Sequence, residues 1–495
     1  MQQSYRRFTK DVIIIGLTNF LQFIVGIIQL PLFTKTLGVH SYGTWIQVNA
    51  TRSLIAPFTG LGLGGAMVRF LAAEKNREEI REQFYSVIAV SLGANLLASL
   101  ILLALAYPLA TNFFSGATQI VRLTAILLLL TPVSSLHLEF FRAFQQMRKY
   151  SFFIITEQCS RIGVFTFLAI NGYGIFSIVV SAVLIQTVIL LILIFVVKSQ
   201  IGFQIPSFRY LKKYLSFGLP LIPRSISYWL IHLSDRYIIS YFMGVGAVGV
   251  YSAAYGIGSV PYTVCAVLTL TLMAPLSRYY DEGRTDEVQT HLRYSLKYFL
   301  TVMIPFVFGA TILAKPVLNI FSTTGIANEA HILVPILASG ILFLSIHNLI
   351  SFILILNKKP KILAVIWVVA AVLNLGLNIV MVPRVGILGA AISTLISYSL
   401  VLILVSYYSF REFNLFIDWI FIIKSLIASA VMSVAVWFIA PEGTADTILT
   451  IMAGVAIYGV VLVLLRGFKK EEVSFFWGML RRATPSVEPG DSPVK

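Results

Sequence analysis

The stretch Gly174-Ile-Phe-Ser-Ile-Val-Val-Ser181 opens an apolar run that continues to Val197, and Gly386-Ile-Leu-Gly-Ala-Ala-Ile-Ser393 opens another at an offset of 212 residues. About 20 mostly apolar residues are enough to cross the hydrocarbon core of a bilayer as a helix. Each stretch therefore predicts the start of a membrane-spanning helix. Their similarity predicts that the chain contains an internal repeat.

Two further pairs of segments extend this repeat. Gly38-Val-His-Ser-Tyr-Gly43 resembles Gly244-Val-Gly-Ala-Val-Gly249, and the charged connector 76–81 falls opposite residues 283–288. Each half has an even number of predicted helices, so both halves enter the membrane in the same orientation. In transporters made of two parallel repeats, the substrate site lies between the repeats near the middle of the membrane. The alternative is that duplication only serves to build a large helix bundle.

The composition identifies lipid as the solvent of most of the chain. Of its 495 residues, 58% are hydrophobic and 12% are charged, and the mean hydropathy is +0.87. Cys159 and Cys265 both lie in apolar stretches, which argues against a disulfide or a thiolate metal site. The predicted fold class is an all-α integral membrane protein with fourteen transmembrane helices, near residues 11–34, 42–67, 84–111, 119–138, 152–170, 174–197, 214–242, 247–274, 296–318, 331–356, 362–382, 386–408, 418–440 and 446–466.

Lysine and arginine are distributed very unevenly over the loops between these spans. Alternate loops together with both termini hold 28 of the 37, and the other set of loops holds four. By the positive-inside rule, both termini are therefore predicted in the cytoplasm. The net charge of +16 is explained in the same way, so no nucleic-acid partner is predicted.

The predicted organisation is two six-helix lobes around a central cavity, followed by two additional helices. The first lobe comprises residues 1–200 and the second comprises residues 201–412. The additional helices lie within residues 413–466. Residues 467–495 are rich in proline, serine and charge, and they are predicted to form a disordered cytoplasmic tail.

Three sets of short motifs occur along nearly the whole chain. They are Leu37-Gly38 to Tyr42-Gly43 with Gly60-Leu-Gly-Leu-Gly64 and Arg69, then Phe217-Gly-Leu-Pro-Leu-Ile-Pro223 with Asp235-Arg236, then Leu373-Asn-Leu-Gly-Leu-Asn378 with Val382-Pro383 and Gly386 to Ala391. In this order they resemble the multidrug/oligosaccharidyl-lipid/polysaccharide (MOP) exporter superfamily, polysaccharide biosynthesis (Wzx-like) flippase branch. The resemblance implies a protein that moves a polyprenyl-diphosphate-linked sugar unit across the membrane.

Arginines deep inside predicted spans are the main candidates for binding such a substrate. Arg52 lies ten residues into the second span, roughly 15 Å deep, with Asn49 beside it at helical spacing. Arg224 lies at a similar depth in the seventh span, and Ser227 and Tyr228 follow on the same face. A buried arginine binds phosphate oxygens through a bidentate fork, so one arginine from each half would suit a diphosphate. A structural role is the alternative for both.

The first span carries a polar stripe formed by Asn19, Gln22 and Gln29, which is expected to face the same cavity. The resemblance implies that spans one, two, seven and eight line this cavity. It also implies that a cationic residue in the second span of lipid-precursor flippases corresponds to Arg52. No family motif supports the assignment of Arg224.

Two further pairs of charges are candidates for coupling or gating. Glu157 and Arg161 lie one helical turn apart in the fifth span, so they either neutralise each other or serve proton coupling or sugar binding. Asp235 and Arg236 are adjacent and are predicted to point about 100° apart on the helix. For them a structural or gating role competes with substrate contact.

The leading hypothesis is a flippase that moves a polyprenyl-diphosphate-linked oligosaccharide from the cytoplasmic to the outer leaflet of the cell membrane by alternating access, for polysaccharide or surface glycan biosynthesis. A cation-coupled multidrug exporter of the same superfamily would call for carboxylates in the cavity, and each candidate carboxylate here has an arginine nearby. A membrane polysaccharide polymerase or glycosyltransferase is disfavoured because every outward loop is short. No enzymatic activity, metal site or cofactor is predicted. Proton or sodium coupling and contacts with other glycan-assembly proteins stay open, while membrane lipids are expected partners.

Overall fold

The structure is a computed structural model that describes residues 2–413 and 417–468, with side chains from Ile14 onward except at eight positions that include Leu221 and Arg224. The predicted tail beyond Phe468 lies outside the described residues. Within the described ranges the chain is all-helical. Its α-helices are α1 (Gln2–Leu32), α2 (Gly38–Gly60), α3 (Leu63–Leu71), α4 (Arg77–Ala104), α5 (Ala106–Phe113), α6 (Thr118–Ala143), α7 (Met147–Ile170), α8 (Ile175–Ile201), α9 (Leu211–Gly218), α10 (Ile222–Met243), α11 (Val245–Gly258), α12 (Tyr262–Asp281), α13 (Thr285–Phe321), α14 (Thr324–Ala330), α15 (Leu333–Leu356), α16 (Pro360–Val385), α17 (Ile387–Glu412), α18 (Trp419–Ile439) and α19 (Thr444–Leu464).

Eleven helical segments of the described chain are long and apolar enough to cross a membrane. A π-helical turn, Phe33–Leu37, joins α1 to α2, so residues 14–60 count as one segment. The seventh and eighth predicted spans are divided into the pairs α9–α10 and α11–α12, and none of these four helices is among the eleven segments. Each of the fourteen predicted stretches therefore coincides with a helix or with an interrupted pair of helices.

The interruptions have identifiable causes in the sequence. Between α2 and α3, Leu61 and Gly62 both adopt the left-handed conformation, with φ of 50° and 66°. Between α9 and α10, Leu219–Leu221 forms a 3-10 turn that contains Pro220, and Pro223 follows in the first turn of α10. Proline lacks the backbone N–H that a continuous α-helix requires, so the break lies where the prolines predict a bend.

The packing of α9 differs from that of α10, although both belong to the predicted seventh span. Tyr214 of α9 is fully buried in a hydrophobic core formed by α3, α4, α6, α7 and α8. Its hydroxyl donates a hydrogen bond to Gln83 of α4 at 2.7 Å. In contrast, α10 packs chiefly against α16. We therefore define the first lobe as α1–α9 and the second lobe as α10–α17, so the change of lobe occurs at the 3-10 turn.

The two lobes share a core at only one end of the bundle. Because successive spans alternate in direction, the loops rich in lysine and arginine share one end, here called the basic end, and the other is called the charge-poor end. Near the charge-poor end a single hydrophobic core contains residues of both lobes, among them Phe33, Phe165, Tyr251 and Leu318. Near the basic end each lobe has its own core. The lobes are therefore joined at the charge-poor end.

The last two helices pack on α13 of the second lobe. At the start of α18 the Asp418 carboxylate caps the helix by accepting a hydrogen bond from the Phe421 N–H at 3.0 Å. It also pairs with Lys297 of α13 at 3.1 Å, and that lysine side chain is only 3% exposed. Burial raises the pKa of Asp418, but the Phe421 N–H and the Lys297 ammonium outweigh this effect and hold the pKa below its usual value.

The Asp418→Asn variant is expected to lower the free energy of unfolding by about 1–3 kcal/mol, because it weakens the cap and removes the carboxylate that lies 3.1 Å from the buried Lys297 ammonium. Glu412→Gln is a matched control, since Glu412 pairs with Lys359 at 2.7 Å at a more exposed site and its loss should cost less than about 1 kcal/mol. The measurement is thermal unfolding of the full-length protein in detergent. The Asp418 carboxylate has a lowered pKa, so its stabilisation is present above the unfolded-state pKa and is lost as the pH falls below about 4. Equal losses in the two variants at pH 7 would contradict the assignment.

Candidate functional site

The lobes approach most closely at two glycines that the repeat predicts to be equivalent. A methyl group placed on Gly43 of α2 would come within 1.8 Å of the Val245 carbonyl oxygen of α11. One placed on Gly249 of α11 would come within 2.4 Å of the Val39 carbonyl oxygen of α2. Small residues permit such backbone contact between membrane helices. The charge-poor end is therefore closed by direct packing of α2 on α11.

Polar contacts reinforce this closure down to the middle of the bundle. The Lys35 ammonium donates to the Ile320 carbonyl oxygen at 2.6 Å, at the charge-poor end. Deeper in the bundle, the Trp229 indole N–H of α10 donates to the Ala50 carbonyl oxygen at 3.1 Å. The hydroxyls of Thr51 and Tyr237 lie 2.6 Å apart. These last contacts place α10 against α2 at the level of Arg52.

Arg52 lies on α2 next to these contacts, in a setting without a carboxylate partner among the described residues. Its guanidinium donates to the Thr131 hydroxyl at 2.8 Å and to the Asn49 side-chain oxygen at 3.2 Å. Its Nε is buried and has no hydrogen-bond partner within the described chain. Burying a charge is costly unless it is paired. Arg52 therefore retains donor capacity and an uncompensated positive charge for an anionic ligand.

The space beside Arg52 is open. The neighbouring Ser53 side chain on α2 is exposed, and so is Ser135 on α6. α2 is flanked by α4 and α6 in its own lobe and by α10 and α11 in the other. α2 therefore lies where the two lobes meet, and the gap between the lobes beside Arg52 is our candidate site.

A buried polar chain runs through the first lobe behind Arg52. Glu157 and Arg161 of α7 form the predicted ion pair at 2.8 Å. Arg161 also donates to the Gln186 side-chain oxygen of α8 at 2.9 Å, and Gln186 donates to the Ser134 hydroxyl of α6 at 2.9 Å. The pair is therefore embedded in a network. With Arg52 included, this group carries one more positive charge than negative.

Asp235 and Arg236 form a contact that their sequence positions did not predict. Their side chains do not diverge but meet at 2.7 Å, and both are almost fully buried. The other Asp235 carboxylate oxygen accepts from the Tyr251 hydroxyl at 2.6 Å. The Arg236 guanidinium lies 4.6 Å from the centre of the Tyr255 ring. This pair is therefore buried and charge-balanced.

The remaining predicted site residues are placed as follows. Asn19 and Gln22 of α1 are exposed and Gln29 is half-buried. Ser227 is buried, and its hydroxyl donates to the Pro223 carbonyl oxygen at 3.0 Å. Tyr228 is 54% exposed. The backbone of Arg224 lies in the first turn of α10, but its side chain lies outside the described residues.

Sequence reasoning missed several contributors to the site. Thr131 and Gln186 hydrogen-bond Arg52 and Arg161, yet neither belongs to a motif that sequence reasoning recognises. His232 and His347 lie in one aromatic group with Trp367. Such groupings bring together residues of different helices, so the periodicity of one helix does not reveal them.

A second space, apolar throughout, lies between the second lobe and the last two helices. This cavity of about 580 Å³ is lined by α13, α18 and α19, with Phe306, Gly309, Met432 and Gly454 among its residues. Ile257 of α11 forms part of its inner wall. It is of the size that holds small apolar ligands. An apolar chain that occupies this cavity could therefore lie beside α11, the helix that packs against α2.

Comparison with known proteins gives matches over most of the chain. The family described as polysaccharide biosynthesis protein matches residues 8–276, and the MatE family matches residues 220–380. The probable low-salt glycan biosynthesis flippase Agl15 of Haloferax volcanii is 21% identical over 376 residues, covering 76% of this chain and 78% of the relative. The succinoglycan biosynthesis transport protein ExoT of Rhizobium meliloti is 23% identical over 292 residues, covering 58% of this chain and 57% of the relative.

Solved structures of low sequence identity share the fold. The lipid II flippase MurJ in an inward closed conformation superimposes with a TM-score of 0.74 at 19% identity, covering 95% of this chain and 100% of that chain. A multidrug resistance MATE family transporter of the MOP superfamily, in an inward-facing conformation, gives a TM-score of 0.66 at 16% identity, covering 79% and 94%. The fold, the apolar helices and the family match over more than half of the chain agree. The chain is a multi-pass protein of the cell membrane and belongs to the polysaccharide biosynthesis protein family.

Proposed function

We propose that this protein is a flippase that moves a polyprenyl-diphosphate-linked glycan from the cytoplasmic to the outer leaflet. The single observation that carries the proposal is Arg52, a membrane-embedded arginine at the gap between the lobes whose hydrogen bonds go only to neutral groups among the described residues. A diphosphate would supply the missing negative charge and accept a bidentate pair of hydrogen bonds. The flippase and transport names of the relatives support the same substrate class.

The apolar cavity supports a lipid-linked substrate. Each CH₂ buried in an apolar environment contributes about 0.8 kcal/mol, so a long isoprenoid chain gains from any apolar surface along its path. The cavity lined by α13, α18 and α19 offers such a surface next to the second lobe. In this arrangement the lipid stays in an apolar environment while the diphosphate and sugars occupy the gap.

The proposal includes fourteen spans, both termini in the cytoplasm and alternating access between two parallel lobes. The basic end then faces the cytoplasm and the charge-poor end faces outward, which agrees with the 28 to four distribution of lysine and arginine. The glycine contacts close the outward end in this structure. The substrate would enter from the basic end, where the lobes have separate cores.

Multidrug export is the competing function. Binding an organic cation in a low-dielectric cavity calls for an unpaired carboxylate. Both membrane-embedded carboxylates in the described parts of the lobes are paired with arginine, Glu157 at 2.8 Å and Asp235 at 2.7 Å. The excess charge of the first lobe is positive, which would repel an organic cation. We also propose that the protein performs no covalent chemistry, as the transporter relatives support.

A translocation assay in proteoliposomes tests the proposed function. Full-length protein is reconstituted, and a fluorescent farnesyl-diphospho-N-acetylglucosamine is placed in both leaflets, so that dithionite bleaches only the outer leaflet unless lipid crosses. Bleaching of the inner pool, dependent on the protein, is the expected result. The assay is repeated with an imposed proton gradient and with an imposed sodium gradient, and the gradient that accelerates translocation identifies the coupling ion. Transport of ethidium without any movement of the lipid-linked sugar would contradict the flippase proposal and support the multidrug exporter.

A further inference from the structure

The second lobe carries a group of aromatic and polar side chains that the function proposed so far does not use. Tyr228 stacks on His232 with ring centres 4.1 Å apart, and His232 lies 6.1 Å from Trp367. Trp367 in turn contacts His347 at 5.4 Å. We call these four residues, together with Asn348 beside His347, the aromatic cluster. It joins α10, α15 and α16.

Several polar atoms of the aromatic cluster have no partner within the described chain. The Nε2 atom of His232 and the Nδ1 atom of His347 are buried and unsatisfied, and these side chains are 9% and 2% exposed. The other His232 nitrogen lies 2.7 Å from the Tyr398 hydroxyl. Leaving a buried polar group unpaired costs about 1–3 kcal/mol. Two such atoms in one cluster therefore leave hydrogen-bonding capacity that no described residue uses.

Tyr228 is an exposed member of the cluster. Its side chain is 54% exposed, although its ring contacts that of His232 with centres 4.1 Å apart. We call the space beside this accessible face of Tyr228 the cleft. Tyr262 adds a hydroxyl that accepts a hydrogen bond from Asn348 at 3.4 Å. The cleft therefore presents aromatic faces together with several donors and acceptors.

The cleft lies across the lobe interface from Arg52. The residue after Tyr228 is Trp229, whose indole N–H bonds the Ala50 carbonyl oxygen. Ala50 precedes Arg52 by two residues on α2. The aromatic cluster and Arg52 are therefore at the same level of the bundle on opposite lobes. A ligand held by Arg52 through one group can reach the cluster with the next.

We propose that the aromatic cluster is a carbohydrate subsite that binds the first sugars of the lipid-linked glycan while Arg52 holds its diphosphate. The C–H face of a pyranose ring is apolar and stacks on the faces of Tyr228 and Trp367, as other apolar rings do. Its hydroxyls both donate and accept, so they satisfy the unpaired histidine nitrogens and Asn348. The proposal rests on the flippase function. In it, Arg52 of the first lobe binds the charged diphosphate, and the aromatic cluster of the second lobe binds the sugar.

The test compares two probes that differ in the sugar and in the ionisable terminal phosphate oxygen that the sugar replaces. Farnesyl diphosphate and farnesyl-diphospho-N-acetylglucosamine are each titrated into the full-length protein in phosphatidylcholine nanodiscs, and their Kd values are measured. We expect the sugar-bearing probe to bind at least about tenfold more tightly. Trp367→Ala should weaken the sugar-bearing probe about tenfold and leave the farnesyl diphosphate unaffected. Trp437→Ala on α18, an aromatic residue that is 64% exposed, is the matched control and should change neither Kd.

Tyr228→Phe keeps the stacking face and should retain most of the sugar preference, whereas Tyr228→Ala should lose it. The Phe variant serves as a control for folding, because phenylalanine preserves the packing against His232. Equal Kd values for the two probes in the unmodified protein would overturn the subsite, as would an equal loss for both probes in Trp367→Ala. If neither probe binds, or if Arg52→Ala leaves the Kd of farnesyl diphosphate unchanged, it is the proposed flippase site that fails.

Discussion

Alanine in place of Arg52 is expected to slow translocation of a polyprenyl-diphosphate-linked sugar about a hundredfold. A hydrogen bond to a charged group contributes about 1.5–3 kcal/mol, and 1.4 kcal/mol corresponds to a factor of ten. The guanidinium bonds Thr131 and Asn49, which are neutral, so the variant leaves no buried carboxylate without a partner. The rate is measured in proteoliposomes with protein content matched.

Arg52→Lys keeps the charge but loses the planar fork, so an intermediate rate is expected. The matched control is Arg122→Ala, which removes an exposed arginine near the charge-poor end of the same lobe and should leave the rate unchanged. Thermal unfolding of each variant separates loss of function from loss of fold. A normal rate in Arg52→Ala would remove this residue from the site.

Replacing Gly43 with alanine is expected to prevent the two lobes from closing at the charge-poor end. The added methyl carbon would lie 1.8 Å from the Val245 carbonyl oxygen, where ordinary contact begins near 3.4 Å, so the backbones must separate by about 1.5 Å. Interior packing does not absorb such an overlap without backbone movement. Alternating access requires this end to open and close, so we expect the variant to flip lipid more than about tenfold more slowly.

The separation can be measured by pulsed electron spin resonance between labels at Asn171 and Arg384, which are exposed near the charge-poor end of opposite lobes. Gly246→Ala is the control, because Gly246 lies on α11, the helix that Gly43 contacts, yet a methyl group placed on it meets nothing within 4 Å. Gly249→Ala should reproduce the effect of Gly43→Ala. An unchanged label distance in both variants would show that the contact does not hold the lobes together.

Much of the helical architecture follows from the sequence, because continuous apolar runs fix where helices lie in a lipid solvent. The sixth predicted span, 174–197, corresponds to α8, which covers Ile175–Ile201. The bend at Pro220 follows from the missing N–H. The break at Leu105 between α4 and α5, which interrupts the predicted span 84–111, has the same cause, because Pro108 cannot donate a hydrogen bond to the carbonyl oxygen of Ala104 four residues earlier. The packing of α9 on the first lobe depends on the Tyr214 contact with Gln83, which lies 131 residues away in the chain.

The site was less predictable, because it depends on which face of a helix meets which neighbour. The Glu157–Arg161 pair was predictable since it is local, one turn apart on α7. The polar face predicted on α10 is divided, with Ser227 buried inside the lobe and Tyr228 open to the cleft. These residues are adjacent on the helix, and only the packing of other helices distinguishes them. The two histidines of the aromatic cluster lie on different helices, and only the packing of those helices shows that one nitrogen of each is unpaired among the described residues.

The glycine contact also bears on the origin of the molecule. Gly38 and Gly244, which open the two matching segments, have nearly the same backbone angles, with φ of 84° and 82° and ψ of 168° and 170°. Gly43 and Gly249 each abut the backbone of the other's helix, which is the reciprocal pattern of an isologous interface. A single six-helix ancestor with this segment would have paired with a second copy of itself through the same surface. Fusion of two such copies would join subunits that were already compatible, and it would leave each half free to acquire different side chains.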